Sequence, residues 1–262
     1  MTQDMLYEVR NGAAWVTLNR PDALNAMNQN ILDGYTEVIE KAEKDPDVKA
    51  VVFTGSGRAF SAGADLKYVL QFMGSGDPAK VRAFMKQAYQ AFARVGECEK
   101  PTIAAVNGVT AAGGLELTLA CDLVIAAESV KIGDGHINFG MLPGGGSAIR
   151  LPRKISETRA KYLLYTGELL PVQKVADWGL INEIVPDDQL IPTVEALVGK
   201  LASKSPLAMR MMKQLVDQAL DMPLDRALQT EMQVWEAYGQ SEDVIEGLTA
   251  FGEKRQPAYK GR

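Results

Sequence analysis

The chain has 262 residues, enough for one large domain or two small ones around a sizeable core. With 47% hydrophobic and 23% charged residues it has the balance of a globular protein. A net charge of −5 without a Lys/Arg cluster argues against a nucleic-acid partner. The opening MTQDMLYEVR lacks a basic-then-apolar leader, and no apolar run approaches about 18 residues. No membrane association is therefore expected, and the expected location is cytoplasmic. Cys98 and Cys121 lack disulfide-framework or metal-ligand spacing and read as core thiols.

MLYEVR and AAWVTLN alternate in the strand manner around Asn11-Gly12, which predicts a hairpin. After the loop RPDALNAMN, apolar Ile31, Tyr35, Val38, Ile39 and Ala42 have the spacing of one helix face. AVVFTG is a short continuous apolar run, the pattern of a buried parallel strand. Val81, Phe84, Met85, Ala88, Phe92 and Val95 predict a second helix. TIAAV and DLVIAA predict two further buried strands, separated by a Gly-rich turn and the short helix GLELTLA. Beyond Gly144 the pattern is mainly helical, with one strand at LINEIVP. Strands alternating with helices predict an α/β fold with right-handed crossovers. The chain is expected to divide into a core over 1–200 and a helical region over 201–262. After Ser205, the apolar residues Met209, Met211, Met212, Leu215 and Val216 need cover from the body or from a second copy.

Several familiar motifs are missing. TGSGRAFSAGAD has Gly55 and Gly57, but Phe60 stands where a dinucleotide fingerprint needs its third glycine. There is no G-x-S-x-G and no H-E-x-x-H. Two glycine-containing loops remain, SAGAD and NGVTAAGGLEL, each between a strand and a helix. Backbone N–H groups at a helix start lack intrahelical acceptors and carry the positive end of the dipole. Two of them, from separate loops, could clamp one carbonyl oxygen and stabilise an enolate. Two plain tight turns are the alternative.

Along essentially its whole length the chain resembles the crotonase superfamily of enoyl-CoA hydratases and isomerases. The resemblance is carried by NRPDALNAMN, VVFTGSGRAFSAGADL, KPTIAAVNGVTAAGGLELTLACDLVIA, GMLPGGGSAIRLPR and SEDVIEGLTAFGEKRQPAYKG. It implies a spiral of ββα units with a helical C-terminal trimerisation region, trimers that often pair into hexamers, and acyl-CoA thioester substrates. No cofactor is implied beyond the coenzyme A of the substrate. By motif position the oxyanion hole maps to the N–H groups of Ala64 and Gly113. Coenzyme A binding maps to Ala62, Ala64, Asp65 and Leu66, with Phe251 and Lys254 approaching from a neighbouring subunit. The acyl pocket maps to the segments 68–85 and 137–142.

Hydratases of this superfamily use two glutamates. The first corresponds to Glu116; in the second place, twenty residues on, stands His136, the only histidine in the chain. A solvated carboxylate is the alternative role for Glu116, and a backbone-bonded structural imidazole is the alternative for His136. Acting together, the two should lie within about 3–7 Å and share one water or substrate. Carboxylate and imidazolium attract where two carboxylates would repel, leaving the pair near neutral. Asp134 is a possible orienter of His136. The favoured chemistry is hydration or dehydration of an acyl-CoA. C–C bond hydrolysis of a β-keto acyl-CoA or β-diketone, enoyl isomerisation and non-catalytic thioester binding are the alternatives.

Overall fold

A computed structural model describes residues 3–262. Strands β1 (Met5–Arg10) and β2 (Ala13–Leu18) form the expected hairpin, with Arg10 opposite Ala13. Its two-residue turn needs positive φ twice, supplied by Asn11 at 50° and Gly12 at 77°. Asn28 caps helix α1 (Gln29–Lys44) by accepting the Ile31 N–H. The helix buries all five positions that the spacing marked.

Three versions of one unit follow. In the first, β3 (Ala50–Gly55) leads to the short β4 (Ala59–Ser61) and to helices α2 (Leu66–Met73) and α3 (Pro78–Gly96). In the second, β5 (Thr102–Val106) leads to β6 (Val109–Ala111) and α4 (Gly113–Ala120). In the third, β7 (Leu123–Ala127) leads to β8 (Lys131–Gly133), α5 (Ser147–Lys154) and α6 (Glu157–Thr166). Then come β9 (Leu170–Pro171), α7 (Val172–Ala176), β10 (Glu183–Val185) and α8 (Leu190–Ala202).

The first strand of each unit joins a six-stranded sheet, order β1-β2-β3-β5-β7-β10, parallel from β2 onward. The second strand joins a small sheet, order β4-β6-β8-β9, in which β4, β6 and β8 are parallel. This is the crotonase-type spiral of ββα units. The small sheet is what the sequence pattern does not show. AFS, VTA and KIG are three residues each, too short for alternation to register. LINEIVP yields a strand only at 183–185.

Helix α4 lies between the sheets and is buried on all sides, so its apolar residues show no amphipathic face. Helix α8 packs Leu190, Val194 and Val198 into the core. By contrast, α9 (Pro206–Ala219) and α10 (Leu224–Tyr238) bury no residue in a single chain, and α11 (Glu242–Glu253) buries Asp243 and Ala250. Lys213 ties α9 to the body through Asp122 at 2.9 Å. Met209, Met211 and Leu215 are half-buried, whereas Met212, Val216, Leu220, Leu224, Leu228, Met232 and Trp235 are exposed. Among the described residues, no helix is long and apolar enough to cross a membrane.

Candidate active site

Three parallel strands that neighbour one another must end on one edge. Beyond the C-terminal ends of β4, β6 and β8 lie Ala62–Asp65, Ala112–Gly113 and Asp134–His136. The small sheet therefore gathers residues some seventy positions apart along the chain.

The first loop pairs with the segment before α1. Met27 N–H donates to Gly63 O at 2.7 Å, and Asp65 N–H donates to Met27 O at 2.9 Å. Peptide groups alternate in direction along such a ladder, so the Ala64 N–H points away from Met27. Ala64 lines the central cavity, as does Gly113 in the first turn of α4, where N–H groups have no intrahelical acceptor. The loops touch: a methyl group added to Gly63 would stand 2.6 Å from Ala112 Cβ and 3.1 Å from Gly113 N. Ala112 has φ 47° and ψ −115°, a conformation costing a residue with a Cβ about 1–3 kcal/mol. The strain falls immediately before Gly113, the second proposed donor.

Buried Asn25 ties the segment before α1 to β4 and the turn that precedes it. Its Nδ2 donates to Ser56 O at 2.9 Å and Ala59 O at 2.7 Å, and its Oδ1 accepts the Arg20 N–H at 2.9 Å. Ser61 Oγ in turn donates to Asn25 O at 2.9 Å.

Glu116 lies one turn into α4 and is 3% exposed. Its Oε1 accepts the N–H of Gly145 at 2.6 Å and of Ser147 at 3.3 Å. Its Oε2 lies 3.9 Å from His136 Nε2. The far side of the imidazole is held too, with Nδ1 3.0 Å from Asp134 Oδ1, which also accepts the His136 N–H at 3.3 Å. Gly145 can only be glycine: a methyl group there would meet the Phe92 ring at 2.1 Å and Glu116 Oε2 at 2.7 Å. Each member of the pair thus has its outer atom tied down and its inner atom turned toward the other.

Burial pushes the Glu116 carboxyl above its ordinary 4.5, against the lowering effects of His136 and the two N–H groups. Burial opposes a charged His136, but the hydrogen bond and charge of Asp134, with the Glu116 charge, outweigh it and raise the imidazole above 6.5. Asp134, 1% exposed, changes the charge arithmetic expected from the sequence. With both carboxylates ionised and the imidazole protonated, the group carries −1 rather than zero. Both thiols are buried, and Cys98 is pushed up to about 11, as suits core residues.

Ala64, Gly113, Glu116 and His136 face one cavity of about 440 Å³, walled by α2, α3 and the loop at 140–145. The sequence profile described as enoyl-CoA hydratase/isomerase matches residues 8–262. The chain belongs to the enoyl-CoA hydratase/isomerase family. It is 36% identical to the 2,3-dehydroadipyl-CoA hydratase of Escherichia coli over 94% of each chain. It is 34% identical to the crotonyl-CoA hydratase of Syntrophomonas wolfei over 98% of each. Its fold superposes on an enoyl-CoA hydratase crystal structure from Bacillus anthracis with TM-score 0.93 at 34% identity, covering 99% of this chain and 100% of that one.

The residues matched to coenzyme A binding in this family are placed less uniformly. Ala62 N–H is bound to Leu24 O at 2.9 Å, and Leu66 is 43% exposed. Asp65 caps α2 by accepting the N–H groups of Lys67 and Tyr68, and it pairs with Arg20 at 3.0 Å. Phe251 is 86% exposed on α11, Lys254 ends that helix with φ 54°, and neither lines the cavity. The sequence reading did not pick out Asn25 or the Gly145 and Ser147 N–H groups. The GGGS run is the visible signal of the latter two.

Proposed function

We propose that this family enzyme adds water across the α,β double bond of an enoyl-CoA thioester, or removes it in reverse. The supporting observation is the Glu116 Oε2–His136 Nε2 separation of 3.9 Å, with both outer atoms anchored. A water roughly 2.8 Å from each would subtend about a right angle, so one water fits both hydrogen bonds. In this reading Glu116 takes a proton from that water as the hydroxyl oxygen bonds to the β-carbon. The double-bond electrons move through the α-carbon onto the thioester oxygen, where the N–H groups of Ala64 and Gly113 receive the charge. Each such donor contributes about 3–4 kcal/mol in the transition state. As the carbonyl re-forms, protonated His136 gives its proton to the α-carbon. Passage of the proton from Glu116 to His136 restores the starting state. Water is consumed whole, and the reaction needs no cofactor beyond the coenzyme A of the substrate.

The same reading places the coenzyme A near Ala62–Leu66, with Phe251 and Lys254 of a neighbouring subunit beside it, in a homotrimer or dimer of trimers. The uncovered apolar stripe on α9 and α10 supports the oligomer. A cytoplasmic location accords with the free thiols Cys98 and Cys121.

A second reading rests on Asp134. A carboxylate on Nδ1 leaves Nε2 to act as a base on water, the arrangement used to activate nucleophiles. Water attacking a β-carbonyl would then cleave a C–C bond. Mass spectrometry of products from enoyl-, 3-hydroxyacyl- and cyclic β-ketoacyl-CoAs separates the readings. Gain of one water by the enoyl-CoAs, with the cyclic substrates intact, is expected. A ring-opened acid with untouched enoyl-CoAs overturns hydration in favour of hydrolysis.

A further inference from the structure

The walls beyond Glu116 and His136 bear on the acyl group itself. Among the described residues lining the cavity, those two carry the only ionisable side chains; the rest are apolar or glycine. Met27, Met73, Met85 and Met141 contribute four thioethers, and Phe84 and Phe92 two aromatic rings. Phe84 is backed by Phe72, stacked at 5.0 Å between centroids and 13° between planes. Met85 extends over Gly144, with its Cε 2.3 Å from where a methyl group there would stand. Thioethers of this kind are flexible and adapt to irregular apolar shapes.

Size and charge exclude different candidates. At roughly 30 Å³ per water-sized group, a four-carbon acyl chain fills on the order of 120 Å³. With the thioester oxygen and sulfur and the shared water in the same cavity, roughly half of its 440 Å³ is still unfilled. A terminal carboxylate would meet no cation in the lining except the His136 imidazolium, which Asp134 and Glu116 already balance. An ionised group buried without a partner is strongly disfavoured.

We infer that the acyl group is uncharged and apolar, longer than four carbons or ring-bearing, and that Met85 is the residue that sets this preference. The inference rests on the acyl-CoA reading above and names the substrate class of that site. It is tested by calorimetric binding of saturated butyryl-, hexanoyl-, octanoyl-, 3-phenylpropanoyl- and adipyl-CoA to the wild-type enzyme. Each methylene buried should tighten binding about fourfold, the ~0.8 kcal/mol transfer value converted at 1.4 kcal/mol per tenfold. Octanoyl- and 3-phenylpropanoyl-CoA are expected to bind at least tenfold tighter than butyryl-CoA, and adipyl-CoA at least tenfold weaker than hexanoyl-CoA. A smaller difference in either comparison overturns the inference. Met85→Lys should tighten adipyl-CoA relative to hexanoyl-CoA by at least tenfold; an unchanged ratio removes Met85 from its assigned role, and the wild-type comparison stands if that variant does not fold. Saturated thioesters have no double bond, so the result is independent of hydration. Binding in this order without turnover of the matching enoyl-CoAs would sink the proposed reaction and leave the pocket assignment intact. Preferred binding of butyryl-CoA by an active hydratase would do the reverse.

Discussion

His136 is meaningful only with its two neighbours. Asp134 favours the imidazolium, and the two backbone N–H groups on Glu116 favour the carboxylate against burial. The proposed hydration needs Glu116 ionised and His136 protonated. Glu116 gains a proton as pH falls through its raised pKa, so the acid limb of kcat/KM should lie above 4.5. His136 loses its proton as pH rises through its own raised pKa, so the alkaline limb should lie above 6.5. Asp134→Asn removes the negative charge that supports the imidazolium. It should move the alkaline limb to lower pH and reduce kcat by up to about 10⁴-fold, the loss recorded when the carboxylate orienting a catalytic histidine becomes an amide. A pH–rate profile of this variant superimposable on wild type would leave Asp134 no part in setting the histidine. Positions 116 and 136 are legible in the sequence, through their spacing in recognisable motifs. The Gly145 and Ser147 donors are not, because a backbone contact across some thirty residues has no residue-type signature.

Elements explain why the site is where it is. Helices α1 and α3 are legible from apolar spacing, and β3, β5 and β7 of the large sheet from short continuous apolar runs. The strands that lead to the candidate site residues, β4, β6 and β8, have three residues each and no pattern to find. Their parallel pairing brings Ala64, Gly113 and His136 to one edge. Two variants test this. Ala64→Pro removes one proposed oxyanion donor and should lower turnover at least a hundredfold in a folded protein. Activity within tenfold of wild type would count against the oxyanion assignment. Asn25→Ala removes the Arg20 N–H acceptor and the shorter donor to Ala59 O, which keeps only Asn107 Nδ2 at 3.4 Å, and should cost about 2–4 kcal/mol. At this chain length that is a Tm lower by roughly 4–16 °C, readable by calorimetry. An unchanged Tm would mean that the Asn25 bonds do not anchor the start of β4.

At the scale of the whole molecule, the single chain leaves one apolar side uncovered. The exposed large apolar residues recur every four positions, 212 and 216 on α9, 220 just beyond its end, and 224, 228 and 232 on α10. The sequence showed these helices as apolar, but only the structure shows which side stays uncovered. Met209, Met211 and Leu215 turn partly inward, and Met212 and Val216 turn out. Sedimentation at micromolar concentration should give a trimer or dimer of trimers. Leu228→Asp with Trp235→Asp should shift it toward monomer and cut activity if a neighbouring subunit supplies part of the coenzyme A site. A compact, fully active wild-type monomer would contradict this assembly.

The central claim is that Glu116 and His136 work as one acid–base pair across 3.9 Å. Steady-state kinetics of Glu116→Gln, His136→Ala and the double variant, on the preferred enoyl-CoA, test it most directly. Groups that act as a unit are strongly non-additive. Each single variant should lose on the order of a thousandfold in kcat, within the range assigned to general acid–base groups. The double variant should lie within tenfold of the slower single one. Losses that multiply, or full activity in His136→Ala, would contradict the pairing.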